Sequence, residues 1–248
     1  MGILYSLAIH TPAQEVKSQS KILIYDGVSP LFPKGWLKGK IKAMADSPDR
    51  FKITTDTTEI KFAVSKYPEN LIQKEIHHIY LVGNLRFSGV YFTGTISGNV
   101  LYIASKANQD IQKTFHHEFS SILLRNHAPF SFETEWKLLS PDLLNCSSTA
   151  AIKDGYFCLD QNLYLLNKGY LSAYSLSNWE NDFNMYAENI FSGDPRFWIL
   201  VDNYPVIKEK AKLVIDFYQQ VHPVFTENYF RLLENENGSG RLAANAKN

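Results

Sequence analysis

Asp110-Ile111-Gln112-Lys113-Thr114-Phe115-His116-His117-Glu118-Phe119-Ser120-Ser121-Ile122-Leu123-Leu124-Arg125 is the stretch on which the reading of this chain turns. Its apolar residues Ile111, Phe115, Phe119, Ile122 and Leu123 recur at three- and four-residue steps, the spacing of a helix. Asn108 or Asp110 can cap the start, because a short side-chain oxygen accepts from an otherwise orphaned backbone N–H. His117 and Ser121 share a face with Thr114, and Glu118 sits one step round, close enough to reach a common ligand. That face is not the one carrying Ile111, Phe115 and Ile122, so its polar groups are not part of the core stripe.

The polar face has the outline of a metal motif. In H-E-x-x-H, two histidines four residues apart project from one side of a helix and bind zinc. The glutamate beside the first then handles the proton of the metal-bound water. Here His117 and Glu118 are present and Ser121 occupies the place of the second histidine.

Upstream, the first hundred residues read mainly as β. Residues 21–25, 51–54, 60–64 and 78–85 alternate polar and apolar side chains, and 89–93 and 100–104 flank the turn Ser97-Gly98-Asn99, the latter resembling a hairpin. Residues 36–45 suit a short helix. The apolar run 1–9 lacks a basic n-region and reads as a first strand or the remnant of a trimmed export signal. His77 and His78 open a strand without a partner at ligand spacing and read as structural.

Downstream, 126–168 reads as a long irregular segment with Pro129, Pro141 and Gly155, the kind that often forms a lid. Its aromatics from Phe130 to Trp136 suit packing, and His127 suits bonds to the last helical carbonyls. Gly169 marks a turn. Ser177-Asn178-Trp179-Glu180 reads as a capping box that opens a helix over 178–191, ended by Gly193-Asp194-Pro195. On that helix Asp182 and Tyr186 share one face, and Glu188, off that face, reads as a solvated charge. A last helix runs from about Pro205 to Val221, is broken by Pro223 and continues over 225–233. Residues 234–248 have the composition of a disordered tail.

Composition narrows the function classes. The 248 residues are 45% hydrophobic, enough for a substantial core, and 25 basic residues balance 25 acidic ones. Zero net charge without a Lys/Arg run argues against nucleic acid, which needs a basic face. No stretch is apolar and long enough to span a bilayer. Cys146 and Cys158 are too few for a disulfide framework and form one bridge or two free thiols.

Phe115-His116-His117-Glu118-Phe119-Ser120-Ser121-Ile122-Leu123, then Gly169-Tyr170-Leu171-Ser172-Ala173-Tyr174 and Glu180-Asn181-Asp182-Phe183, resemble the zinc-binding metallopeptidases that occur as surface lipoproteins in Bacteroidetes. The resemblance covers roughly the C-terminal half. It implies an α+β, zincin-like fold: a mainly β lobe over 1–106, a helical lobe with the active-site helix over 107–233, and the tail 234–248. It also implies a zinc ion on His117 and Asp182 with Ser121 at the departed ligand's place. Glu118 would be the general base and Tyr174 a donor to the oxyanion. Serine hydroxyl is a poor zinc ligand, so His116, about 100° round the helix, or His127 or Glu180 would have to complete the three protein ligands of a catalytic zinc. The implied partner is a peptide or protein laid along an edge strand. The implied location is the periplasm or cell surface, with a lipid anchor on a longer precursor. Two other readings stand beside the peptidase: a pseudo-peptidase that binds peptides or glycans without cutting them, and a structural component of a surface assembly.

Overall fold

The computed structural model describes residues 21–106, 109–139 and 162–233. The run 1–9, the candidate cap Asn108, Pro141, Gly155, both cysteines and the tail 234–248 lie outside these described residues.

The chain is α+β, with its strands in the N-terminal part and its helices mostly in the C-terminal part. A four-stranded sheet has β1 (Ile22–Ile24), β3 (His78–Val82), β7 (Val100–Ala104) and β6 (Gly94–Ser97) in that spatial order. The first three run parallel and β6 returns antiparallel on β7. Ser97 pairs with Val100 across a two-residue loop. Gly98 supplies its left-handed backbone at φ +56°, as a type II′ hairpin turn requires at its first position. A second sheet joins β2 (Met44–Ala45), β4 (Leu85–Phe87) and β5 (Val90–Phe92). The hairpin expected at Gly98 is therefore present, but 90–92 pairs with β4 and not with β7.

Three expectations for the early region are overturned. Residues 51–54 and 60–64 are not strands: they fall within or beside helix α1 (Ile53–Ser65), followed by α2 (Glu69–Glu75). Ile60, Ala63 and Tyr67, three or four residues apart, are all buried in one core, and that packing outweighs the β preference of the threonines. Residues 36–45 hold no helix beyond the single 3-10 turn Lys34–Trp36. There Trp36 joins Phe32, Phe87 and Tyr102 in a small aromatic cluster under the second sheet.

Helix α3 (Ile111–His127) forms as expected, with Asp110 accepting from the Lys113 N–H at 2.9 Å. It is buried on nearly every side. The segment 126–168, expected to be irregular, carries α4 (Phe132–Leu138) and α5 (Leu163–Asn167) in its described residues, where Phe132, Trp136, Leu165 and Leu166 are buried. After a 3-10 turn at Ala173–Ser177 comes α6 (Trp179–Ser192). Its cap is Asn178, accepting from the Asn181 N–H at 2.8 Å, and not Ser177. Helices α7 (Pro195–Asn203) and α8 (Pro205–Val221) each begin with proline, where the missing N–H costs nothing. A further helical segment starts at 227. One continuous core runs from α1 and the first sheet through α3 and α6 to Phe225 and Phe230. No helix among the described residues is long and apolar enough to cross a membrane.

Candidate functional site

Helices α3 and α6 pack antiparallel, and three side-chain pairs bridge them like rungs. His117 Nδ1 meets Glu188 Oε2 at 3.0 Å. One turn on, Asn184 Nδ2 donates to Ser121 Oγ at 2.8 Å, and Ser120 Oγ donates to Asn184 Oδ1. Another turn on, Arg125 meets Glu180 at 3.2 Å. Each step of four along α3 is matched by a step of four back along α6, which is the geometry of adjacent antiparallel helices. The first two rungs are buried, and the third is open to solvent.

Glu118 lies beside this seam, half-buried, beneath β6. A Cβ on Gly94 would come within 2.7 Å of Glu118 Cγ and 2.8 Å of its Oε1. Only a residue without a side chain lets the strand pass this close. Burial pushes the Glu118 carboxyl up to about 7; His117 and Arg125 oppose the rise, while Glu180 and Glu188 add to it. For His117, burial disfavours the charge, but the hydrogen bond and charge of Glu188, with Glu118 and Asn181, outweigh it and raise the imidazole above its ordinary value. The Tyr174 ring packs on the His117 ring, with centroids 5.7 Å apart. Burial, then Glu118, Glu188 and Glu180, push its hydroxyl far up, so it stays protonated at every ordinary pH.

His117, Glu118, Ser121 and Tyr174 thus lie together along the α3/α6 seam. Asp182 does not join them. It is fully buried, with Oδ2 taking the Lys210 ammonium at 2.5 Å and the Trp136 indole N–H at 2.9 Å. The reason is helical phase: two residues from Asn184 is about 200° of rotation, so Asp182 points away from α3. His116 is also turned elsewhere. Its Nδ1 meets the Tyr67 hydroxyl at 2.9 Å and its ring stacks on Phe191. Burial, then Lys66 and Lys113, lower its pKa well below the usual value. His127 bonds Glu75 at 2.9 Å and Glu180 bonds Arg125, so neither reaches the seam's first rungs. Glu188, expected as a solvated charge, is the buried partner of His117. The signal for it was present: Glu180, Asn184 and Glu188 repeat at four-residue steps, in phase with His117, Ser121 and Arg125.

The donor set does not fit a catalytic zinc. Such a site takes three nitrogen, sulfur or carboxylate donors. Among the described residues no group of three His, Cys, Asp or Glu could hold a metal. Ser121 Oγ accepts from Asn184, whose own oxygen accepts from Ser120, and Asp182 is held by Lys210.

What the arrangement does offer is an unpaired strand edge, on which Gly94 and Ile96 are buried and Thr95 and Ser97 half-buried. The Ala104 N–H donates to the Thr93 carbonyl at 2.8 Å, so that pair is a hydrogen-bonded one. By the alternation of an antiparallel ladder, Thr95 and Ser97 also bond inward, and the N–H and C=O of Gly94 and Ile96 face away from β7. Among the described residues no strand pairs with β6 on that side.

No protein-family model matches the chain, and no curated protein sequence does. Among solved structures, a "putative zinc-binding metallo-peptidase" from Bacteroides caccae is similar over 72% of this chain and 74% of that one, at 16% identity and a TM-score of 0.46.

Proposed function

We propose that this chain is a peptide-binding protein with the ground plan of a peptidase, holding an extended peptide along β6 beside Glu118 and Tyr174. The observation that carries this reading is Gly94. Its N–H and C=O turn away from β7 on a strand that no other strand joins on that side among the described residues, and its missing side chain leaves the Glu118 carboxyl directly beneath. Gly94 is itself buried, so the edge has to open for a peptide to lie there. An extended peptide would add a strand there, its backbone giving affinity and alternate side chains giving selectivity. Glu118 would accept from a peptide N–H when charged. Backbone recognition of this kind favours a peptide over a glycan.

Hydrolysis through a zinc-activated water, with Glu118 as base, is the reading that the motif first suggests. It asks for a donor set that Ser121 and Asn184 do not present, so binding without cleavage is the function we favour.

A library of labelled peptides, followed by an N-methyl scan of a binder, tests the proposal. Removing one N–H from a strand ladder should weaken binding roughly five- to tenfold, the worth of one hydrogen bond. The losses should fall at every second residue of the peptide, since only alternate N–H groups face β6. No binder, or equal tolerance at every position, would overturn it. Cleavage that Glu118→Gln abolishes would return the chain to the peptidases.

A further inference from the structure

The rungs of the α3/α6 seam differ in chemistry. The rung His117 to Glu188 is the arrangement by which metal-binding imidazoles are ordinarily oriented: one ring nitrogen bonded to a carboxylate, leaving the other to the metal. Position 121 lies one helical turn from His117 on the same face. Position 184 meets it from the facing helix, since Asn184 Nδ2 and Ser121 Oγ are 2.8 Å apart. Both residues are buried and neutral. Asn184 also turns its amide nitrogen, which has no lone pair to give, toward Ser121.

We infer that positions 121 and 184 are the two vacated donor positions of a three-donor metal site whose remaining donor is His117, and that zinc does not bind this seam in the present chain. The assignment replaces Asp182, which faces the other way, with a position that the helix register selects. It goes beyond peptide binding at β6, because a peptide can lie on that strand whether or not the seam takes a metal.

The native chain is titrated with zinc while the His117 ring-nitrogen resonances are followed, and metal retained after desalting is measured. The resonances should not move, and almost no zinc should be retained. Ser121→His with Asn184→Glu should retain roughly one zinc per chain, and adding His117→Ala should remove it. Circular dichroism reports whether the variant folds. If it does not, Ser121→His with Asn184→Asp, a carboxylate of asparagine's size, takes its place. A His117 resonance that shifts with one equivalent of zinc in the native chain would overturn the inference. So would a folded double variant that retains no zinc. Neither readout uses a peptide, so failure here leaves the β6 proposal standing, and the reverse.

Discussion

His117 and Glu118 are neighbours in sequence with opposite electrostatic demands. The imidazole gains from Glu188, whereas the Glu118 carboxyl finds itself buried among other carboxylates. Both make the fold pH-dependent, and in the same sense. A carboxyl raised from 4.5 to about 7 binds its proton more tightly when folded, so stability falls as pH rises through that window and the penalty is complete above it. The His117 contribution is complete below its ordinary value and is lost as pH rises through its raised one. Glu118→Gln removes the first effect. Urea unfolding should show it more stable than the native chain at pH 8, by roughly 1–3 kcal/mol after allowing for partial exposure, with the gap closing at pH 5. A gap that is equal at both values would mean that Glu118 is not buried as described. At this scale the sequence displayed His117 and Glu118, because one helical stretch holds both. It displayed Glu188 only as one member of the four-residue repeat with Glu180 and Asn184, because which of them faces His117 is decided once the register of the two helices is set.

The elements show the same division. Helix α3 was legible from its apolar spacing and its Asp110 cap, both local. Helix α1 was not, since threonine and isoleucine favour strands until packing against the core decides otherwise. The turn at Gly98 and its second arm were legible, but the first arm was read at 89–93 and not at β6, and nothing local marks Gly94 as the point of contact with α3. Gly94→Ala tests that contact. Its new methyl would meet Glu118 Cγ and Thr114 Cγ2 at 2.7 and 2.9 Å. Thermal and urea unfolding should show a loss of about 1–3 kcal/mol, the usual cost of overpacking. The same change made with Glu118→Ala should cost less, since the carboxylate is then gone.

Across the whole molecule, strands from the N-terminal part and helices from the C-terminal part share one core. Phe230 is fully buried and touches Phe191, Tyr218 and Phe225, while Tyr229 donates its hydroxyl to the Lys66 carbonyl at the end of α1. The end of the described chain thereby braces the end of helix α1. Phe230→Ala should cost about 3–5 kcal/mol, and the loss should appear in one transition when near- and far-ultraviolet circular dichroism are followed together. Two separated transitions would mean that the core is less continuous than its contacts suggest.

Local chemistry in the chain was enough to specify the helix bearing His117 and Glu118, the turn at Gly98 and the two proline-marked ends of the last long helix. Each depends on contacts within a few residues or on a periodicity that one element carries alone. Which carboxylate faces His117, which residue faces Ser121, and which glycine shelters Glu118 depended on helix phase and on packing between elements more than fifteen residues apart. Those choices follow from close packing in three dimensions, where a rotation of 200° sends Asp182 to Lys210 and leaves Asn184 and Glu188 to the site.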